Sequence, residues 1–335
     1  MLRMSRPRRA LVAVLCGVAL VAGLVVGAIS AQQEAPSATQ ARARAPLFDE
    51  AFVQQVYKDA VEALEQGAGV KLQEPVPALL LTVDEARARR KAFTQGMSED
   101  AGMTAAADLL ADFVFSDSML GRYLPDEKAL YIIEEVLEDT AHGDRDRARE
   151  LLFGVMAHEL THAHDDQVYH AMPQIGPLVK ELIADGNKIL DVQAQMSLLE
   201  GHATYAAELA CRQAGEPTLP AFSLEEAREA KVMDARGDGA AEQVGAGVVN
   251  VVARAKLVQY AWGREFCKRA HSFGGEKFMG QVFASLPLKL SELQDFEVFR
   301  QRWAADMEKK MEAEEAEPTE AAPAPAPTPS ESPSP

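Results

Sequence analysis

The chain has 335 residues, 47% of them hydrophobic, and a formal net charge of -17 at pH 7, enough for one large domain or two ordinary ones with a buried core. This composition excludes a small disulfide scaffold and a wholly disordered chain. The acidic balance, with no Lys/Arg-rich stretch in the folded part, excludes a nucleic-acid partner, because phosphate binding needs a basic face.

At the amino end Arg3, Arg6, Arg8 and Arg9 precede an apolar run from Ala10 to Ile29, and the polar Gln32-Gln33-Glu34 follows. This order of a positive flank and an apolar run is an export signal. The run is long enough to span a bilayer, and Ala28-Ile29-Ser30 offers a small-x-small cleavage site. Residues 1–31 therefore read as a cleaved signal peptide or as an uncleaved membrane anchor through residues 10–29. In both readings the positive flank stays inside and the rest is delivered outside the cytoplasm, to the cell envelope, the periplasm or the medium. Residues 32–46, rich in Ala, Gln, Arg and Pro without an apolar period, read as a linker.

The folded part starts at residue 47. Phe52, Val56, Ala60, Ala63 and Leu64 recur at helical spacing within a predicted helix from Phe48 to Leu64, and Gly67 with Gly69 supplies its stop. Val76 to Val83 is a predicted strand bounded by prolines. Asp84 to Phe93 reads as a helix capped by Thr82 or Asp84. Met119 to Ile133 reads as a hairpin turning at Pro125-Asp126. Within it, Leu130 to Ile133 is either an exposed edge that could hold an extended peptide or an ordinary sheet strand.

From Arg147 to about Tyr169 the pattern is helical, with Leu151, Leu152, Val155, Met156 and Leu160 on one apolar stripe. Further helices are predicted over Ile175 to Ile189, Val192 to Arg212, Leu224 to Ala235, Gln243 to Ala270 and Gly275 to Ser285. Residues 312–335, composed of Ala, Pro, Glu, Ser and Thr, form a predicted disordered tail, which leaves 47–311 as the folded domain.

Chemistry concentrates in His158-Glu159-Leu160-Thr161-His162. Residues four apart share a helix face, so His158 and His162 can offer two imidazole nitrogens to one zinc ion. Glu159 follows the first ligand directly and can take a proton from the attacking water and return it to the leaving group. The metal in such a site lowers the pKa of its bound water toward 7 and polarises a carbonyl. A third protein ligand is needed. The longer motif with Gly and a third His is excluded, since those positions hold Asp165 and Val168. Two glutamates remain: Glu181, with Asp185 one turn on as an acceptor for a ligand histidine, and Glu200, where Gly201 and Ala203 leave space for packing against the metal helix.

The stretch Ala157-His158-Glu159-Leu160-Thr161-His162-Ala163-His164-Asp165-Asp166-Gln167 resembles the active-site helix of a family of bacterial and archaeal zinc metallopeptidase-like proteins, His-Glu-Leu-Thr-His-Ala-x-x-Asp-Gln, a branch of the glutamate-ligand zincins. Three more landmarks are similar: Gly121-Arg122-Tyr123-Leu124-Pro125 before the helix, Leu198 to Ala203 after it, and Tyr260-Ala261-Trp262-Gly263-Arg264-Glu265-Phe266. The resemblance covers roughly residues 120–299 and implies Glu200 as the third ligand. His202 departs from it, standing where the family has an acidic residue, as a further ligand or as a packing group.

Around this core, Asp166 could accept a hydrogen bond within the site, and His164 points off the ligand face and reads as a surface residue. Tyr260, Tyr205 and His202 are candidate donors to a developing oxyanion. Cys211 and Cys267 either pair or remain buried thiols. These readings predict a mainly helical α+β, zincin-like domain with a small sheet and a helical C-terminal half. The predicted activity is an exported zinc metallopeptidase, with His158, His162 and Glu200 as ligands, Glu159 as general base and a peptide or protein as substrate. The alternative is a catalytically silent zinc-binding envelope protein that uses a peptidase-like groove to bind a partner.

Overall fold

The Asp49 side chain accepts a hydrogen bond from the Phe52 amide at 2.8 Å and so opens helix α1 (Glu50–Ala63). Its buried residues, Val53, Val56, Ala60 and Ala63, fall at the predicted spacing. The helix loosens into one π turn over Leu64–Ala68 and ends at Gly69, whose left-handed φ of 76° lets its amide return to Leu64. The computed structural model describes residues 48–89, 120–171, 189–218 and 244–316. The predicted segments 1–31 and 32–46, the helices over 175–189 and 224–235, and Glu181 lie outside the described residues. Among the described residues no helix is long and apolar enough to cross a membrane.

Strand β1 (Ala78–Leu81) leads into helix α2 (83–89), which Thr82 and Glu85 cap reciprocally. The hairpin is present as β2 (Gly121–Leu124) and β3 (Ala129–Ile133), paired antiparallel with Tyr123 opposite Leu130. The sheet order is β1-β3-β2, and β1 runs parallel to β3. Leu130 to Ile133 is therefore the central strand, buried throughout. Both its edges are occupied, so it cannot receive a peptide; its partner β1 is distant in sequence and invisible to a local pattern. Among the described residues, the hairpin strand at the edge of the sheet is β2.

Helix α3 (Glu134–Ala141) continues directly from β3, with Ile133 as its cap residue and no turn signal between them, which hid it from the sequence pattern. Asp144 caps α4 (Arg145–Tyr169) by accepting from the Asp146 and Arg147 amides, and His170, at φ 52°, closes it. Every residue of α4 from Leu152 to Asp165 is buried, because α1, β2 and the next helix pack around it. That helix, α5 (Ile189–Ala214), packs against α6 (Val244–Ala284). Gly201 of α5 faces the Gly263 backbone, where a β-carbon would collide. The small residue thus serves contact with α6 rather than with the metal helix. Within α6 the helical path breaks at Gly274 and Gly275, the latter at φ 64°, the break predicted between the two last helices.

The arrangement is a mainly helical α+β fold with a small three-stranded sheet, as the patterning predicted. A short helix α7 (Leu290–Gln294) follows, and α8 (Phe296–Ala316) runs past Glu312. The compact unit that holds the sheet and α1–α7 ends at Phe296, and a second unit begins at Glu297. In the described part of the second unit Arg300 pairs with Glu297.

Candidate metal centre

Helices α4 and α5 bring three ligand-type side chains together. His158 Nε2 lies 3.2 Å from His162 Nε2, and the Glu200 Oε2 atom lies 3.3 Å from the first and 3.8 Å from the second. All three ligand atoms fall within 4.8 Å of one another, and all three residues are buried. Among the described residues neither Glu200 oxygen has a partner in good hydrogen-bond geometry, and Glu200 is fully enclosed. Two orphaned carboxylate oxygens facing two imidazoles in a dry interior are costly by themselves. A cation is the partner such a donor set satisfies, so this group could hold a metal ion.

Electrostatics carry the same imprint. Burial would raise the Glu200 pKa, yet the contacts and charges of His158 and His162 hold it down at about 2. Burial would lower that of His162, and Glu200, followed by Glu159 and Asp165, raises it instead. A metal ion bound there would take the place of those protons.

Glu159 is buried beside the ligand pair, and its Oε2 accepts the Tyr123 amide at 2.8 Å. The outward-facing edge of β2 thus fixes the carboxylate. Tyr123 also donates its hydroxyl to Asp166 at 2.8 Å, which gives Asp166 a clamping role between β2 and α4. Gln167 accepts the Gln73 and Glu74 amides at 2.8 and 3.1 Å and secures the segment that follows the π turn.

Arg122 is a site residue that sequence patterning missed. It is 8% exposed, its charge lies near Glu159, Glu200 and Tyr260, and among the described residues its Nη1 has no hydrogen-bond partner. Burial lowers its pKa and the two carboxylates oppose that. The signal was its place in the Gly-Arg-Tyr-Leu-Pro landmark; an arginine on a strand otherwise reads as solvent-facing.

Of the three candidate oxyanion donors only Tyr260 belongs to the centre. Its ring lies 6.1 Å from that of His158, and burial, followed by the charges of Glu200 and Glu159, raises its pKa well above the ordinary phenol value. Tyr205 instead meets the His271 ring edge-on at 5.7 Å, among Glu208, Arg212 and Arg264.

His202 is not a ligand. Its Nδ1 lies 2.8 Å from Asp165 Oδ1 and its Nε2 3.1 Å from Glu276 Oε2. His164 is no surface residue either: it is buried, bonded through Nδ1 to the Lys71 carbonyl at 2.8 Å and facing Glu276 through Nε2 at 3.3 Å. The Tyr169 hydroxyl also donates to Glu276. The helix pattern hid this cluster because its acceptor, Glu276, arrives from α6. Cys211 and Cys267 are buried thiols, not a disulfide, and the Cys267 thiol donates to the Leu198 carbonyl at 3.7 Å.

No protein-family model matches the chain, and no curated protein matches it. Among solved structures it is similar to a candidate hydrolase with a novel fold from Chloroflexus aurantiacus, at 18% identity and a TM-score of 0.51, over 88% of this chain and 97% of that one. At that identity the likeness is one of fold alone.

Proposed function

We propose that the chain is an exported, zinc-dependent metallopeptidase of the glutamate-ligand zincin type, anchored or secreted through residues 10–29. The observation that carries this reading is the convergence of His158, His162 and Glu200 beside a Glu159 already oriented by the Tyr123 amide. The hydrolase description of the Chloroflexus aurantiacus protein is compatible with it.

Two imidazoles and one carboxylate are a donor set of catalytic zinc sites, and zinc bound there would supply Lewis acidity toward a carbonyl and acidify water. Glu159 accepts the proton of the attacking water and delivers it to the leaving amine. The Tyr123 amide keeps the carboxylate pointed inward while its charge changes. Arg122 Nη1, buried and without a partner among the described residues, is the donor for the negative charge that develops on the carbonyl oxygen. Its cation also offsets the two neighbouring carboxylates, so the substrate-free site is not left with their full repulsion.

The test is metal analysis and digestion of a mixed peptide library by the purified chain, beside the Glu159→Gln variant. The proposal predicts bound zinc in both proteins and cleavage by the parent alone.

A further inference from the structure

Tyr123 meets α4 twice. Its amide donates to Glu159 Oε2 and its hydroxyl to Asp166 Oδ2, each across 2.8 Å, and the residue is 2% exposed. Glu159 and Asp166 stand seven residues apart in the chain, which places them about two turns apart on one face of the helix. A single residue of β2 therefore spans that face, its backbone bound to the acidic residue of the ligand motif and its phenol bound further along. Burial, followed by the hydrogen bond to Asp166, pushes the phenol above its ordinary pKa, so it stays a donor.

The strand needs such a hold, because among the described residues β2 has a partner strand on one side only. The residue after Asp166 secures the neighbouring segment: Gln167 accepts the Gln73 and Glu74 amides at 2.8 and 3.1 Å and donates to the Glu74 carbonyl at 3.0 Å. The Glu74 carboxylate in turn pairs across 3.3 Å with Lys128, in the turn between β2 and β3. That ion pair is exposed and contributes little. The part-buried bond from the Tyr123 phenol to a carboxylate is the stronger of the two ties between the hairpin and the far end of α4.

Resting on the reading of Glu159 as general base, we propose that Asp166 is a positioning residue for it: Asp166 holds the Tyr123 phenol, and Tyr123 so held keeps the β2 amide on the Glu159 carboxylate. The base and the metal are then aligned by separate means. The strand and Asp166 orient the base, whereas the ligands stand on α4 and α5, and α5 packs against α6. A carboxylate two turns from the base thus governs its orientation and not the affinity for zinc.

Tyr123→Phe removes the donor oxygen and Asp166→Ala its acceptor, so two variants of different cost to the fold probe one bond. Amide hydrogen exchange of the full chain is read residue by residue for the parent and both variants, with zinc content, kcat and KM measured beside it. The expected result is a Tyr123 amide that exchanges about 10-fold faster in both variants while the other β2 and β3 amides keep the parental rate. With it, kcat falls about 10- to 100-fold, and KM and zinc content are retained. Parental exchange at Tyr123, or parental kcat, in both variants would overturn the inference. A uniform rise in exchange across the sheet would overturn it too, by making the bond a part of general stability. A parent that cleaves no peptide contradicts the peptidase reading instead, and the exchange rates still decide whether Asp166 holds the amide on Glu159.

Discussion

The Tyr123 amide donates to the Glu159 carboxylate across 2.8 Å, so the strand next to the metal helix holds the acidic residue of the ligand motif. This contact depends on how closely β2 lies on α4. At Gly121 a β-carbon would stand 2.7 Å from Val155 Cγ1 and 2.9 Å from Ile132 Cδ1. Gly121→Ala is expected to push β2 outward, at a cost of about 1–3 kcal/mol in stability, and to lower kcat more than zinc content. Denaturant melts and single-turnover hydrolysis check both parts; an alanine variant with parental kcat would show that Glu159 does not need the strand.

Arg122 makes a separable prediction. Arg122→Met keeps much of the side-chain volume and removes the donor, and it is expected to lower kcat/KM about 100-fold with zinc still bound, as for loss of one oxyanion donor. An unchanged kcat/KM would reduce Arg122 to a counter-charge for Glu159 and Glu200.

The crossing of α5 and α6 is close because neither helix has a side chain at the contact. A β-carbon on Gly201 would collide with the Gly263 backbone, and one on Gly263 with the Ser197 carbonyl. Gly201→Ala must separate the helices that carry Glu200 and Tyr260. We expect a loss of about 1–3 kcal/mol or more in a denaturant melt, together with weaker zinc binding, since the residue adjoins the ligand Glu200.

The Glu276 carboxyl gives the metal-free protein a pH dependence of known sign. Burial would raise its pKa, but the His202 charge and the hydrogen bonds from His164, His202 and Tyr169 hold it well below the usual carboxylate range. A depressed folded value means that the group stabilises the fold fully above its unfolded pKa, about 4.3, and that this stability is lost as pH falls below it toward the folded value. Glu276→Gln is expected to be less stable than the parent at neutral pH and to show a shallower decline between about pH 5 and pH 2, because the titrating group is gone. Equal slopes for the two proteins would contradict the assignment.

What the sequence revealed depends on whether the relevant spacing was local. His158, Glu159 and His162 were legible because a helix puts residues four apart on one face, and α4 does place the two imidazoles 3.2 Å apart at Nε2. The end of one helix at Ala270 and the start of the next at Gly275 were legible as a gap in the helical pattern, and the break falls beside it at Gly274 and Gly275. Glu200 required the family resemblance, since nothing in the spacing alone distinguishes it from Glu181. Arg122, Asp165 and Glu276 stayed hidden because their roles come from tertiary neighbours: Glu276 and His202 are 74 residues apart and meet only when α5 packs on α6. The same blindness made Leu130 to Ile133 a candidate edge, when the parallel partner β1 encloses it.

The most direct test of the account is zinc stoichiometry and peptide hydrolysis measured together on the purified parent and Glu159→Gln. One zinc ion in each protein, with cleavage by the parent and a loss of at least about 100-fold in the variant, is the predicted result. Zinc in both with cleavage in neither would contradict the peptidase assignment and favour a silent zinc-binding protein, and no zinc in either would contradict the metal centre built from His158, His162 and Glu200.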